Sequence, residues 1–217
     1  MSIGSQLRRT GRYVKAQGLA GFLRRCAQIL WRSTLGSKVA LFCHEPAENE
    51  RDAPRQPEGH AVVRCRRREG LSESDAETLV AQRGRYRGRD AVERYLKARF
   101  IKGAELWLLK VNDRIACFVW STRGAMVSPF YVPLTANDVV VFDIETFSEF
   151  RGRGFAGSLT AHVVASLAKE GARRFYMTVK LWNGPSLQAL RKTRFNRVAT
   201  ARKFSLLGRN ITIWRKE

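Results

Sequence analysis

The sequence has no long apolar run: no stretch approaches the ~18 residues that a membrane-spanning helix needs. Its basic opening, MSIGSQLRRTGRYVK, is not followed by a long apolar core and a small-residue cleavage site, so no secretory signal is expected. Cysteine is sparse and scattered. Cys26, Cys43, Cys65 and Cys117 form no CxxC pair, and His44, His60 and His162 are equally dispersed. Cys43 and His44 are adjacent but lack the paired spacing of a zinc site, so no metal centre is expected. Scattered cysteines read as reduced thiols, which points to a cytoplasmic protein. Acids are scarce in the last third: from Arg151 onward only Glu170 and Glu217 occur, whereas acids and bases nearly balance between residue 58 and Glu149. The formal net charge is +21. A charge of that size attracts an anion, whether a nucleotide cofactor, nucleic acid, acidic lipid or acidic substrate.

What is present is enough for one domain with a real core plus an appendage: 217 residues, 44% of them hydrophobic. Residues 45–59 are polar, with two prolines in the second half and no apolar periodicity, which is linker chemistry. The expected division is therefore a basic helical extension and linker over 1–57 and a domain over 58–217. In the extension, Leu19, Phe22, Leu23, Cys26, Ile29 and Leu30 recur at three- and four-residue steps. Arg24, Arg25, Gln28 and Arg32 lie mostly elsewhere around the helix. Such a basic amphipathic helix either packs on the domain behind it or lies on an anionic membrane surface.

Beyond the linker the pattern predicts strands at 60–68, 105–111, 114–122, 138–146 and 174–180, and a final pair at 197–207 and 210–215. Helices are predicted at 72–83, 89–100, 155–171 and 185–193. Ser72 to Asp75 suit a helix start. Asn112-Asp113 suits a tight hairpin. Gly171 supplies a helix stop, and Asn183 or Gly184 a cap ahead of Pro185. There is no internal repeat.

The chemistry concentrates at Arg151-Gly152-Arg153-Gly154-Phe155-Ala156, between a strand and a helix. The first turn of a helix offers unpaired N–H groups and the positive end of its dipole. Glycines let that backbone approach two phosphates, and the arginines add charge. Gly152, Gly154 and Gly157 also match the dinucleotide fingerprint GxGxxG, but that fold needs the glycines directly after the strand and further βαβ units. Here residues 147–150 intervene, and fewer than 70 residues remain after the loop.

Arg151, Gly154 and Ala156 satisfy Arg/Gln-x-x-Gly-x-Gly/Ala, and in this the chain resembles the GNAT superfamily of N-acetyltransferases. The lead-in 143–150 and the downstream Asn183, Ser186, Leu187, Lys192 and Phe195 are similar to the family as well, so the likeness runs from about Ala61 to Trp214. It implies an α/β (α+β) fold with a mixed, mostly antiparallel central sheet flanked by helices. It also implies direct acyl transfer from acetyl-CoA, or another acyl-CoA, to a primary amine. Pantetheine would pair with the strand edge at Thr146, Phe147 and Ser148. Pyrophosphate would sit on the N–H groups of Arg151, Gly152, Arg153, Gly154, Phe155 and Ala156. Asn183, with Ser186 beside it, would contact the cofactor arm. Oxyanion donors would come from backbone near Glu145–Phe147. Two positions depart from the family pattern: Leu190 stands where many members have a tyrosine that protonates the leaving thiolate, and Arg194 replaces a glycine.

An attacking amine must be neutral, so a base is needed. Asp143 and Glu145 share a strand face by period-two geometry and can accept the proton or hold the ammonium. Tyr176 is a candidate replacement acid and Tyr131 a candidate pocket residue, while His162 reads as packing or surface rather than catalysis. The acceptor class expected is a small-molecule amine or amino sugar. Two further readings stay open. One is a catalytically impaired binder of nucleic acid or another anionic surface, through arginines at 64–68, 83–89 and 191–203. The other is peripheral contact of residues 1–44 with the inner membrane surface.

Overall fold

The computed structural model describes residues 38–50, 52, 56–127, 130–206 and 209–216. Every element expected after residue 58 is present. Strand β1 is Lys38–His44, β2 His60–Cys65, β3 Glu105–Val111, β4 Arg114–Arg123, β5 Asp138–Thr146, β6 Arg174–Lys180, β7 Asn196–Leu206 and β8 Arg209–Lys216. Helix α1 is Glu73–Arg87, α2 Arg89–Ile101, α3 Phe155–Lys169 and α4 Gly184–Arg191. The strands form one sheet in the order β2-β3-β4-β5-β6-β1-β7-β8. Only β5 and β6 run parallel; the other neighbouring pairs are antiparallel. The fold is therefore the mixed, mostly antiparallel one expected.

Local chemistry explains the punctuation. Asn112 and Asp113 both adopt positive φ, 47° and 61°, as a two-residue hairpin turn between twisted strands requires. Gly171, at φ 88°, ends the turn after α3. Apolar alternation then decides the layers. Trp107, Leu109, Cys117, Val119, Val139, Val141, Phe175 and Met177 form a core with Leu159, Val163 and Leu167 of α3. On the opposite face Leu106, Leu108, Phe118 and Trp120 pack against Leu79, Val80, Val92 and Leu96 of α1 and α2.

One expectation is corrected. Residues 38–44, assigned to the extension, are a central strand that pairs β6 on one side and β7 on the other. Val39, Ala40, Leu41 and Phe42 are all at most 5% exposed. A strand buried on both faces shows a continuous apolar run and no alternation, so its period is silent. The boundary at 57 thus cuts through the sheet, and residues 45–59 join two strands of it. This connection crosses α3: Asp52 pairs with Lys169 at 2.9 Å and Gln56 meets His162 at 3.5 Å. Glu50 bonds His44 at 2.8 Å and also pairs with Arg194. The amphipathic segment 19–30 lies outside the described residues.

Candidate active site

Strands β5 and β6 are paired through only three positions, Asp138↔Arg174, Val139↔Phe175 and Val140↔Tyr176. Beyond Val140 they part. The cause lies in β5: against β4, Glu145 faces Phe118 and Phe142 faces Trp120, so Asp143 and Ile144 together oppose Val119. This is a β-bulge, which bends its strand and raises the local twist. Asp143 carries it at φ +51°, in the left-handed region that a non-glycine residue enters only at a cost. The near end of the split is pinned by Asp138. Its carboxylate is buried, and it accepts from Arg174 at 2.7 and 2.9 Å and from the Thr135 N–H and hydroxyl at 2.6 and 2.9 Å. Burial would raise the pKa of this group, but Arg174 and the Thr135 bonds outweigh it and hold it below the usual carboxylate value.

The split forms a cleft of about 950 Å³ lined by β5, β6, the N-terminus of α3 and the face of α4. Its size suits a large extended ligand. Phe147 donates to the Ala116 carbonyl at 2.9 Å, and the chain then makes a 3-10 turn at Ser148–Phe150 with Phe150 buried beneath it. Gly152 and Gly154 both sit at φ +79°, and a Cβ on either would meet no atom within 4 Å. Their conformation, not crowding, is what calls for glycine, and the space above them is open to a ligand. The first intrahelical bond of α3 runs from Ser158 N–H to the Gly154 carbonyl at 3.1 Å. The N–H groups of Phe155, Ala156 and Gly157 precede it in the first turn, where the helix dipole is positive. Arg151 donates from Nε to the Thr146 carbonyl at 3.3 Å, which ties the loop back to the splayed strand. Across the cleft, the Asn183 side chain caps α4 by accepting from Ser186 N–H at 3.4 Å.

Of the residues singled out in the sequence, Asp143, Glu145, Thr146, Arg151, Gly152, Gly154, Phe155, Ala156, Asn183 and Ser186 line this one cleft. Four do not. Phe147 is buried against Phe118, the Ser148 hydroxyl bonds Glu149, and the Arg153 guanidinium lies over the Phe150 ring at 5.8 Å. The fourth, Tyr176, points to the sheet face away from α3. There it packs with Leu41, Val140 and Phe130, and it is 6% exposed. Burial pushes its phenol up to about 12. It is sequestered from the cleft and is a poor acid, which corrects the expectation of a replacement proton donor. Tyr131 sits in the same cluster. His162 packs edge-on to Trp107. Leu190 does reach the cleft, 6% exposed, and offers no proton.

Asp143 and Glu145 face the same layer, α1 and α2, but neither carboxylate stands alone. Glu145 accepts from Arg83 Nε at 3.0 Å. Asp143 accepts from the Tyr95 hydroxyl at 2.5 Å and from Arg99 at 3.1 Å. The Arg83 and Arg99 guanidiniums stack on the Tyr95 ring at 4.8 and 5.1 Å, and Arg83 also lies over Phe118 at 5.2 Å. Burial pushes the Tyr95 hydroxyl up, and its bond to Asp143 adds to this. Arg83, Tyr95 and Arg99 thus clamp the bulge from the helices. Nothing in the sequence ties them to β5; the only local signal is the i, i+4 spacing of Tyr95 and Arg99. Thr160, Thr178, Lys180 and Thr193 are further cleft residues that sequence reasoning did not assign to the site.

Among the described residues, the geometry sets the first turn of α3, the edge of β5 that parts from β6, and the Asp143 and Glu145 carboxylates around one opening. Comparison with known proteins bears on the fold that holds this opening. A putative acetyltransferase of the GNAT family from Novosphingobium aromaticivorans aligns at TM-score 0.51 and 16% identity, over 76% of this chain and 61% of that one. A GCN5-related N-acetyltransferase from Sphaerobacter thermophilus aligns at TM-score 0.52 and 14% identity, over 95% and 67%. A GCN5-related glucosamine N-acetyltransferase region of a fungal multi-domain GH3 beta-N-acetylglucosaminidase aligns at TM-score 0.54 and 15% identity, over 81% and 22%. At such identities the likeness is one of fold, and the chain spans only about three-fifths of the length of the Novosphingobium protein. No curated protein matches the sequence. The model of the acetyltransferase (GNAT) family matches residues 71–194, from the start of α1 to just past α4 and including the whole loop Arg151–Ala156. That match covers more than half of the 217 residues, and the chain belongs to the GNAT acetyltransferase family.

Proposed function

We propose that this protein transfers an acetyl or other short acyl group from acyl-CoA to the primary amine of a small molecule, with an amino sugar as the leading acceptor class. The observation that carries the reading is the cleft itself: a left-handed glycine loop opening α3, facing a strand edge that has lost its partner. First-turn N–H groups at Phe155, Ala156 and Gly157, with Arg151, would hold the pyrophosphate. The edge of β5 near Thr146 would pair with the amide arm, and Asn183 and Ser186 would contact it from the far wall. When bound, the thioester supplies the electrophilic carbonyl. Backbone N–H groups at the bulge offer donors to the carbonyl oxygen as it gains charge. Asp143 and Glu145 lie where an incoming amine would arrive. Each is already bonded to a guanidinium, so proton removal would run through water or through exchange with that partner. On this reading the catalytic domain is cytoplasmic and takes in β1, with residues 1–37 as its extension.

A second reading, a binding protein for nucleic acid or another anionic surface with its transfer chemistry impaired, draws on two observations. Leu190 occupies the expected acid position, and Tyr176 is sequestered. An acceptor screen with acetyl-CoA separates the two. Amino sugars, polyamines, amino acids and peptides are offered in turn, and free thiol is followed. Acceptor-dependent thiol release from one class supports the transferase. Acetyl-CoA binding without release from any class would turn the assignment to the binding protein.

A further inference from the structure

The excess charge of the chain is confined to its two terminal stretches of sequence. Residues 1–44 contain eight Lys and Arg and no acid, and residues 171–217 contain twelve and one acid, Glu217. Residues 45–170 contain twenty against eighteen acids. The described part of the first stretch, β1, is remote in sequence from the second, yet the sheet joins them, because β1 lies between β6 and β7 with β8 at the edge beyond. One row across these strands sets Leu181, Lys38, Arg202 and Ile213 side by side. The next row sets Lys180, Val39, Ala201 and Trp214.

Large apolar side chains are exposed at the same end: Trp182 is 44% exposed, Ile213 60% and Trp214 41%. From this row β7 and β8 run on past the first residue of β1 through four more pairs, Lys203↔Thr212 to Leu206↔Arg209. That overhang reaches roughly 13 Å, at about 3.3 Å per residue. Its sequence holds Phe204, Leu206 and Ile211 beside Lys203 and Arg209.

Charge alone would suit any polyanion. The exposed apolar residues narrow the choice. A tryptophan has an apolar ring and a polar N–H, and it sits well at headgroup level, while lysine and arginine meet lipid phosphate. Nucleic acid would reward the charge but would gain little from the exposed Ile213. We propose that the β6-β1-β7-β8 end of the sheet is a docking surface for an anionic lipid bilayer, with Trp182, Ile213 and Trp214 at headgroup level and the surrounding Lys and Arg on lipid phosphates. The mouth of the cleft at Lys180 and Asn183 then opens beside the bilayer. This surface is independent of the acyl-transfer reading, and its test does not use activity.

The test is co-sedimentation of the full chain with vesicles of phosphatidylcholine alone, or of phosphatidylcholine and phosphatidylglycerol in equal parts, at low and high salt. Binding to the anionic vesicles, weak on neutral ones and reduced by salt, is expected. The Ile213→Ser/Trp214→Ser variant should partition about tenfold more weakly through loss of apolar contact. The Lys38→Glu/Arg215→Glu variant should lose about fivefold or more for each basic residue removed, and it tests the surface separately should the first variant fold poorly. Circular dichroism verifies the fold of each. Failure to bind anionic vesicles at low salt, or equal binding to neutral ones, would overturn the proposal. So would tight, salt-sensitive binding to random duplex DNA with no vesicle binding, which would assign the surface to nucleic acid.

Discussion

Asp143 offers the sharpest separation of geometry from chemistry. Its backbone is left-handed at φ +51°, and its carboxylate is bonded to Tyr95 and Arg99. Three substitutions divide these features. Asp143→Gly removes the side chain but accepts the backbone freely. Asp143→Ala removes the side chain and adds about 1–2 kcal/mol of strain for an ordinary residue in that conformation. Asp143→Asn keeps an oxygen to accept both bonds and tolerates the left-handed region. The lost bonds are partly exposed, so about 1 kcal/mol for the tyrosine contact and at most about 1 kcal/mol for the ion pair are reasonable. The glycine variant should therefore lose at most about 1–2 kcal/mol of unfolding free energy, and the alanine variant about 1 kcal/mol more. Urea unfolding measures this, and acetyl-CoA turnover with the best acceptor runs alongside. If the carboxylate only positions the bulge, the asparagine variant keeps most of its turnover. If it takes the proton, asparagine and glycine variants lose turnover alike. Equal stability of the alanine and glycine variants would refute the left-handed bulge, and with it the stated cause of the split.

Other consequences follow from the same structure. Asp138→Asn leaves a partly exposed Arg174 without its charge partner at the hinge of the split and should cost about 1–3 kcal/mol, read by thermal unfolding. Because the folded pKa of Asp138 is lowered, its contribution is fully present above the ordinary aspartate value near 3.9. It is lost as pH falls through the lower folded value, so the gap between parent and variant should narrow only in strong acid. Gly154→Ala meets open space but the wrong φ. It should lose about 1 kcal/mol of stability, and it should weaken acetyl-CoA binding because the loop N–H groups turn away. Leu190→Ala opens a cavity beside the cleft and should destabilise by about 2–5 kcal/mol in urea.

Much of this architecture was legible in the residues. The strands at 105–111, 138–146 and 174–180 appear with the bounds the pattern gives, because apolar runs there are closed by turn residues. The glycine loop ahead of α3 was legible because its pattern is local: glycines, arginines and a helix start lie within six residues. Strand β1 was not, since Val39 to Phe42 show no period and their partners lie more than 130 residues away. The alternation of β6 was read correctly, but alternation does not say what covers each side chain, and Tyr176 is covered by Leu41, Val140 and Phe130. The Arg83, Tyr95 and Arg99 clamp joins helices to a strand more than 40 residues on, a contact that only the packed fold creates.

The central claim is that the loop at Arg151–Ala156 and the split between β5 and β6 bind acyl-CoA. Titration calorimetry of acetyl-CoA into the full chain tests it directly, with Ala156→Glu as the control that sets a carboxylate against the pyrophosphate position. Saturable heat from the parent and none from a folded Ala156→Glu variant is the predicted result. No heat from the parent, or equal heat from both, would contradict the account.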